Sequence, residues 1–408
     1  MTFPLPLNEL FSQFGYYLIF LGIGIAFGYT LEVAGFANST KLAAQFYFKD
    51  LTVLKVMFTA IVVAMVLIFG ASALGLLDYN LIWVNPTYLW PGILGGLIMG
   101  VGFIVGGFCP GTSLVALATF KVDGVFFALG VLSGIFVFGE TIGAYDIFWN
   151  SSYMGRFTIP ELFNINTGLV VLGVVLMALF MFWGSEQLER IFGGKDPKKA
   201  PKARYIGAGV LVIGAIAVLL IGQPTTEDRW ANIAPEKETL LAERAVQIHP
   251  GELLYTMHDH KLNLVMFDVR DESDYNLFHI ADARNVPLEH IPSTIPDLRL
   301  EPENTIVVVM SNDETAATEA WKILQAESVP NVYILGGGIN NWLDTFAADE
   351  NGILPGHTAG DDMLRYKFAA ALGAAYDAAD PDPHENELEF MPKVKLDIKR
   401  GPTSGGCG

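Results

Sequence analysis

Long apolar stretches limit the fold of this chain more than any other feature of its sequence. A helix needs about 20 mainly apolar residues to cross a bilayer, and the first 222 residues contain six such stretches. The sequence therefore predicts a polytopic α-helical membrane domain in contact with a lipid bilayer. The stretches are residues 15–34, 52–76, 87–107, 124–143, 166–184 and 205–222.

Charge divides the chain at the end of the last apolar stretch. Residues 1–222 carry 11 basic and 11 acidic residues, whereas residues 223–408 carry 14 basic and 32 acidic residues. The net charge of −18 therefore comes entirely from the second part. A surface this acidic excludes nucleic acid as a partner. We expect a membrane transport domain over residues 1–222, a linker over 223–239 and soluble structure beyond it.

The charges of the loops predict which way the spans run, because basic residues concentrate on the cytoplasmic side. With six crossings, ten basic residues fall on one side and Arg156 alone on the other. This asymmetry places the acidic second part outside the cytoplasm, in the periplasm of a bacterium with an inner membrane. The ten residues are Lys41, Lys49, Lys55, Lys121, Arg190, Lys195, Lys198, Lys199, Lys202 and Arg204.

Two membrane stretches repeat one pattern at an offset of 72 residues. "GIAFGYTLEVAGFANSTKLAA" and "GGLIMGVGFIVGGFCPGTSLVALA" each run from a glycine-rich helix into Gly-Phe and then into a helix-start signal. Paired helix breaks point to a transport site, because broken or re-entrant helices are tolerated in a bilayer only beside a cavity or inside protein. Amides at a half-helix start suit an anion. The predicted substrate path is Gly35, Asn38, Ser39 and Thr40, with Gly107, Cys109, Pro110, Gly111, Thr112 and Ser113.

Cys109 is one of only two cysteines and stands at the start of the second restarted helix. A thiol in that position is biased towards thiolate. The alternative is that the glycines only allow close helix packing and that Cys109 is a small buried apolar residue. Glu32 and Glu140 lie near the ends of their spans, where they are either functional acids or simply reach the interface.

The segment "GFANSTKLAAQFYFKDLTVLKVMFTAIV", followed by "GGFCPGTSL", resembles the YeeE/YedE family of sulfur-compound transporters. The similarity covers roughly residues 15–185. It implies transport of a small sulfur anion such as thiosulfate along a path lined by membrane cysteines. Only Cys109 matches one of those cysteines, since Ala37 stands at the other break. A homodimer or a second transporter subunit would then complete the path.

Strands and helices alternate from about residue 240, which indicates a soluble α/β domain. "FDVRDESDYNLFHIADARNVP" and "VYILGGGINNW" resemble the two flanking signatures of a rhodanese-like domain, which we expect over residues 240–350. The active loop departs from the family, because Ser311 replaces the sulfur-accepting cysteine and Ala316 the arginine. Serine forms no persulfide, so we expect no sulfurtransferase activity. The degenerate loop is Ser311, Asn312, Asp313, Glu314, Thr315 and Ala316, in which Asp313 and Glu314 are expected to repel an anion.

Residues 351–408 are expected to form a helix at 361–379, a linker and a flexible tail ending in "GPTSGGCG". Flanking glycines give Cys407 wide backbone freedom, which suits a thiol that carries sulfur between sites. The tail resembles that of the sulfur carrier SoxY, which implies periplasmic sulfur-oxidation proteins as partners. The alternatives are an accidental cysteine or a thiol that crosslinks two chains.

Together these features predict a transporter of a small sulfur anion with a non-catalytic outer domain and a carrier thiol. The alternative is a membrane-anchored sulfur carrier or docking protein without permeation. A true sulfurtransferase is a third reading, which Ser311 disfavours. We expect neither a cofactor nor a metal, because the seven histidines show no metal-ligand spacing.

Overall fold

The structure, a computed structural model, describes residues 3–5, 7–194, 202–347 and 362–396. The chain forms two compact units that meet in sequence between Gln223 and Pro224. The boundary expected at residue 222 therefore agrees with the observed one to within a residue.

The first unit contains six helices that are long and apolar enough to cross a membrane, as the sequence predicts. The third of these spans, Leu89–Ala118, consists of two helices separated by a break. The helices are α1 Leu7–Leu10, α2 Gln13–Ala34, α3 Ser39–Ala44, α4 Thr52–Ala73, α5 Leu89–Gly106, α6 Pro110–Ala118, α7 Val122–Thr141, α8 Asp146–Trp149, α9 Ile159–Phe163, α10 Thr167–Phe192 and α11 Ala203–Ile221.

Helices α4, α10 and α11 pack around one apolar cluster that includes Val62, Val175 and Val218. A buried ion pair joins two of them, because Lys55 Nζ on α4 lies 2.5 Å from Glu189 Oε2 on α10. The same carboxylate accepts a hydrogen bond from the Leu51 amide at the start of α4 (2.7 Å). Glu189 thus anchors one end of this helix group.

The second unit contains a five-stranded parallel sheet in the order β1-β5-β4-β2-β3, which confirms the predicted α/β fold. Both faces of the sheet are covered by apolar clusters, one around Trp342 and the other around Trp321, as parallel sheets require. Its elements are α12 Thr226–Ala242, β1 Gln247–Ile248, α13 Pro250–Met257, β2 Asn263–Asp268, α14 Glu272–Leu277, β3 Arg284–Asn285, α15 Ile291–Leu298, β4 Thr305–Met310, α16 Thr315–Ala326, β5 Val332–Leu335 and α17 Gly338–Phe346.

The "FDVRD" motif holds the end of strand β2. Arg270 is 4% exposed and forms a fork with the fully buried Asp268, with Nε and Nη2 at 2.8 and 2.6 Å from the two carboxylate oxygens. Arg270 Nη2 also donates to the Phe278 carbonyl (2.6 Å). This buried pair fixes the turn that leads from β2 into α14.

The linker predicted over residues 223–239 is wrong, because most of it forms helix α12. Thr225 caps that helix in a capping box with Asp228, a pattern that stabilises helix starts. Trp230, Leu240 and Leu241 then pack against the Trp321 cluster. The helix therefore belongs to the α/β unit, although its charged composition and Pro235 favour a linker in the sequence.

The helix predicted over residues 361–379 is also wrong. The described part, 362–379, contains only a 3₁₀ turn at Asp377–Ala379. Tyr366, Phe368 and Tyr376 all pack against the Trp342 cluster, and Trp342 Nε1 donates to the Ala378 carbonyl (2.7 Å). Packing of these aromatic side chains therefore outweighs the local preference for helix.

Residues 392–396 are extended and bound to the α/β core. Glu252 Oε1 accepts hydrogen bonds from the amides of Lys393 and Val394 (2.6 and 2.7 Å). The Tyr333 hydroxyl accepts from the Lys395 amide and donates to its carbonyl (2.7 and 2.9 Å). The chain is thus held on the α/β unit as far as the last described residue of this segment, 396.

Candidate functional site

The first helix break follows α2. The helix ends at Gly35, whose φ of 86° lies in the left-handed region that favours glycine. Asn38 then caps α3, with its Oδ1 accepting hydrogen bonds from the amides of Thr40 and Lys41 (3.1 and 3.3 Å). The sequence signal for a break and restart is therefore matched by the observed backbone.

The second break follows α5 with the same construction. The helix ends at Gly107, with a φ of 73°, and Cys109 is the N-cap of α6. Cys109 Sγ accepts a hydrogen bond from the Thr112 amide (3.4 Å), while Thr112 Oγ1 accepts one from the Cys109 amide (2.9 Å). Pro110 begins the helix, and the Ser113 hydroxyl donates to its carbonyl (2.7 Å). The thiol is thus held at the first turn of α6.

The two breaks lie against each other. A Cβ atom added at Gly107 would stand 3.2 Å from Ser39 Cβ and 3.3 Å from the Ser39 carbonyl. The Phe residues that follow the two glycines, Phe36 and Phe108, are buried in one apolar cluster with Ala37. The structure therefore brings together one predicted path residue from each repeat, Ser39 and Gly107, within the membrane unit.

Two charged residues beside the breaks escaped the sequence prediction. The Ser39 hydroxyl donates to Asp123 Oδ2 in the first turn of α7 (2.6 Å). Lys41, counted above as a loop cation, lies in α3 and donates from Nζ to the Ala34 carbonyl at the end of α2 (2.8 Å). The sequence did contain one signal for Asp123, because this acid lies just after the start of a helix. Glu32 and Glu140 lie instead on exposed faces of α2 and α7.

The degenerate rhodanese loop follows strand β4. Ser311 is fully buried, and its Oγ accepts a hydrogen bond from the Ala317 amide (3.2 Å). Glu314 forms an ion pair with Arg244, whose Nη2 lies 2.6 Å from Glu314 Oε1. The same oxygen accepts a hydrogen bond from the Gly337 amide (2.6 Å). Its charge is therefore balanced within the unit and does not stand free to repel an anion.

Asp313 is also engaged. Its Oδ1 accepts a hydrogen bond from the Thr315 amide (2.6 Å) at the start of α16. Burial raises its pKa, but hydrogen bonds from the Thr315 amide and from Asp362 outweigh burial, so the pKa of Asp313 is lowered overall. The carboxylate therefore pairs with the first amide of α16.

A residue distant in sequence fills the loop. The Asp362 carboxylate accepts hydrogen bonds from the amides of Asp313 and Ala316 (2.8 and 3.0 Å). Asn312 is 3% exposed and donates from Nδ2 to the Asp362 carbonyl (2.9 Å). No sequence signal marks Asp362 as a loop contact, because it is separated from the loop by 46 residues or more.

Comparisons with known proteins assign the two units. A family model described as "Sulphur transport" matches residues 35–240, slightly over half of the chain. The chain belongs to this sulphur transport family. A second model, "Rhodanese-like domain", matches residues 250–345. Membership of the sulphur transport family supports transport of a sulfur compound by the membrane unit, and the rhodanese-like domain agrees with the parallel sheet.

Similarity to individual proteins is lower. No curated protein sequence matches this sulphur transport family member. Among solved structures, the BH2092 protein from Bacillus halodurans is 17% identical, with a TM-score of 0.22, over 27% of this chain and 80% of that chain. A protein from Lactobacillus plantarum is 20% identical, with a TM-score of 0.23, over 28% of this chain and 93% of that chain.

The carrier thiol predicted at Cys407 in this sulphur transport family member lies outside the described residues. Among the residues that the structure describes, no three His, Cys, Asp or Glu side chains form a group able to hold a metal ion.

Proposed function

We propose that this protein carries a small sulfur-containing anion such as thiosulfate across a bacterial inner membrane, through the place where the two helix breaks meet. The contact between Gly107 and Ser39 carries this proposal, because it brings two restarted helices to one point. Helix starts present amide hydrogens and a partial positive charge. Interrupted helices paired in this way are typical of transport sites.

Cys109 is the group we expect to contact the passing anion. Its sulfur lies at the first turn of α6, bonded to the Thr112 amide and close to the Thr112 hydroxyl (3.3 Å). Thr112 and Ser113 are buried, whereas Cys109 is partly exposed. An arriving anion would therefore meet the sulfur before the two hydroxyls. A homodimer or second subunit would supply further path residues.

Two substitutions separate the chemistry of the thiol from its capping role. Cys109→Ser keeps a side chain that caps helices well, whereas Cys109→Ala removes both the cap, at a cost of about 1 kcal/mol, and the sulfur. Uptake of labelled thiosulfate into proteoliposomes is the measurement. If the sulfur takes part, both variants lose uptake. Uptake by Cys109→Ser at the wild-type rate would show that Cys109 acts only as a helix cap. Absence of uptake by wild type would overturn the transport proposal.

The rhodanese-like domain is proposed to be catalytically silent. Ser311 is buried and bonded to the Ala317 amide, and Ala316 supplies no cation to the loop. We expect no thiocyanate to form from thiosulfate and cyanide. Formation of thiocyanate by the purified protein, lost in Ser311→Ala, would contradict this assignment.

The outer unit is proposed to lie in the periplasm and to present Cys407 as a sulfur carrier to sulfur-oxidation proteins. The rival function, a membrane-anchored carrier without permeation, rests on this thiol alone. Cys407→Ser distinguishes the two: a pure carrier loses all function in Cys407→Ser and none in Cys109→Ser. Mass spectrometry of the C-terminal peptide for added sulfur tests the loading of Cys407 directly.

A further inference from the structure

Arg156 stands apart from the other basic residues of the membrane unit. It is the only Lys or Arg between Lys121 and Arg190 in the sequence. Lys55 lies near the start of α4 and Arg190 in the last turn of α10, whereas Arg156 contacts Tyr79, just beyond the end of α4. Arg156 therefore lies at the opposite end of these helices, which the loop charges predict to face the periplasm.

The backbone before Arg156 is tied to the residues that lead into α5. The Thr87 amide donates to the Gly155 carbonyl (2.9 Å), and the Thr87 carbonyl accepts from the Met154 amide (2.9 Å). Gly155 has a φ of 62°, in the left-handed region that favours glycine, so the chain turns just before Arg156. The side chain of Arg156 therefore starts from a fixed point beside the start of α5.

The guanidinium of Arg156 lies against an aromatic ring and has no acid as its partner. Its Cζ is 5.5 Å from the centroid of the Tyr79 ring, within the range of a cation–π contact, and the Tyr79 ring centroid lies 5.0 Å from that of Phe69 on α4. Arg156 Nε is buried and donates to no acceptor among the described residues. Asp78 and Glu161 lie at the same end of the unit, but neither forms an ion pair with Arg156 in the described part of the chain.

This arrangement leaves a half-buried charge that an anion can neutralise. Removing a guanidinium partly from water without giving it an acceptor costs free energy, which a bound anion recovers. The planar fork of arginine matches two oxygens of a tetrahedral oxyanion. Because Nε is buried, an arriving anion would reach the two terminal nitrogens.

We propose that Arg156 is the capture residue of the transporter, which binds an oxyanion such as thiosulfate at the periplasmic end of the membrane unit before the anion reaches Cys109. This inference rests on the proposed transport function. Helix α5 begins beside Arg156 and ends at the second break, and its 18 residues span about 27 Å. Arg156 and Cys109 therefore meet the anion at separate stages.

The test measures initial rates of labelled thiosulfate uptake by right-side-out membrane vesicles, for wild type and Arg156→Gln. We expect Arg156→Gln to raise KM at least about tenfold and to keep the maximal rate within about twofold. The wild-type KM should also rise with ionic strength, and that of Arg156→Gln should not, because salt screens the guanidinium charge. A lower maximal rate with an unchanged KM would assign Arg156 a structural role and overturn the proposal.

Arg190→Gln is the matched control, because it removes the same charge from the opposite end of the unit. Its KM should equal that of wild type. Arg156→Lys keeps the charge and loses the planar fork, so its KM should lie between those of wild type and Arg156→Gln. The lysine variant also decides the question if Arg156→Gln does not fold, as judged by its melting temperature in detergent. A wild-type KM in every folded Arg156 variant overturns the proposal.

Equilibrium binding of labelled thiosulfate to the full-length protein in detergent separates this inference from the transport proposal. The measurement uses Cys109→Ser, so that the thiol makes no contribution, with and without Arg156→Gln. Binding that Arg156→Gln weakens at least about tenfold supports capture even if wild type shows no uptake. Uptake by wild type together with binding that is unaffected by Arg156→Gln overturns the capture role alone.

Discussion

The first turns of helices α6 and α16 are built from the same kind of donor but are filled differently. At α6, in the membrane unit, the Thr112 amide donates to the sulfur of Cys109 at 3.4 Å. At α16, in the α/β unit, the Ala316 amide donates to the Asp362 carboxylate at 3.0 Å. A thiol is a weak acceptor, whereas a hydrogen bond to an ionised carboxylate is roughly twice as strong as a neutral one. The amide at α6 thus has a weak acceptor as its partner, and the amide at α16 has a carboxylate.

The two helix starts place different demands on the group that fills them, if the membrane site passes an anion as proposed. Passage requires that the resident group yield to the ligand and then return. A carboxylate yields only if its own charge is accommodated elsewhere.

A carboxylate at position 109 should fill the start of α6 as Asp362 fills the start of α16. In Cys109→Asp the new side chain caps the Thr112 amide well but meets the arriving anion with a like charge. Two unit charges 4 Å apart repel by about 4 kcal/mol at an effective dielectric constant of about 20. Labelled thiosulfate uptake into proteoliposomes should therefore fall by roughly three orders of magnitude.

Cys109→Asn is the control for that change, since asparagine has the size of aspartate and caps equally well without the charge. Uptake by the asparagine variant should exceed that of the aspartate variant by at least about a hundredfold. Equal loss in both variants would mean that side-chain size, and not charge, blocks the path.

Glu327 shows what a fully partnered acid contributes to the α/β unit, in contrast to Asp362. Its carboxylate is bonded to Thr226 and Arg229 of α12 and to Arg299, at 2.7, 2.5 and 2.9 Å. Breaking a buried pair of this kind costs roughly 3 kcal/mol. Glu327→Gln should lower the free energy of unfolding by about that amount, measured by denaturant titration.

The same loss of stability can be followed by the fluorescence of Trp321, because its ring centroid lies 6.2 Å from that of Trp230 on α12. Glu319→Gln is the matched control on α16, because Glu319 is 53% exposed and bonded only to Lys322 nearby. We expect Glu319→Gln to change the free energy of unfolding by no more than about 0.5 kcal/mol, because the pair is exposed. Similar losses in both variants would show that α12 is not held by Glu327.

The two acids also predict opposite responses to pH. Burial raises the pKa of Glu327, but the Thr226 hydroxyl and the charges of Arg229 and Arg299 outweigh burial and lower it below its ordinary 4.5. The stability that Glu327 provides is therefore present above about pH 4.5 and is lost as the pH falls through the lowered pKa. The difference between wild type and Glu327→Gln should vanish in that acid range.

Asp362 behaves in the opposite sense, because its pKa is raised by burial and by Asp313. Its ionised form costs stability at neutral pH, and the cost disappears as the pH falls through the raised pKa. Asp362→Asn should therefore be at least as stable as wild type at pH 7 and indistinguishable from it in acid. A variant less stable than wild type at pH 7 would show that the carboxylate stabilises the loop.

The contact between the two membrane breaks is tested at Gly107. A side chain there meets Ser39 at 3.2 Å and is strained by the φ of 73°, which costs about 1–2 kcal/mol for the backbone alone. Gly107→Ala should lower the melting temperature in detergent and reduce uptake. Gly102→Ala, in the same helix with nothing within 4 Å of the added carbon, should do neither. Equal effects of Gly107→Ala and Gly102→Ala would show that the contact between the two breaks has no special role.

The sequence could predict the six spans and both breaks because their causes are local. Apolar length indicates a span, and Gly-Phe followed by a capping residue indicates where a helix stops and restarts. Helix α12 was also open to prediction from its capping box at Thr225 and Asp228. Packing of Trp230, Leu240 and Leu241 against the Trp321 cluster then holds the helix on the α/β unit.

The remaining features depend on contacts between residues far apart in the chain. Residues 362–379 have helical composition, but the aromatic rings of Tyr366 and Tyr376 gain more from the core than from a helix. Asp362 reaches the loop only because that segment is not helical. The meeting of Gly107 with Ser39 likewise joins two repeats whose relative position no local pattern specifies.

Ser39 offers the finest test of the membrane site. Its hydroxyl donates to Asp123 Oδ2 at 2.6 Å and so joins the first break to α7. Ser39→Ala removes one hydrogen bond, worth about 0.5–1.5 kcal/mol, and should lower the melting temperature slightly. If the breaks must move apart for an anion to pass, this loss of a tether should leave uptake unchanged or raise it. Thr59→Ala is the control, because the Thr59 hydroxyl donates to a carbonyl of its own helix, α4. If Thr59→Ala changes uptake as much as Ser39→Ala does, the tether to Asp123 is irrelevant.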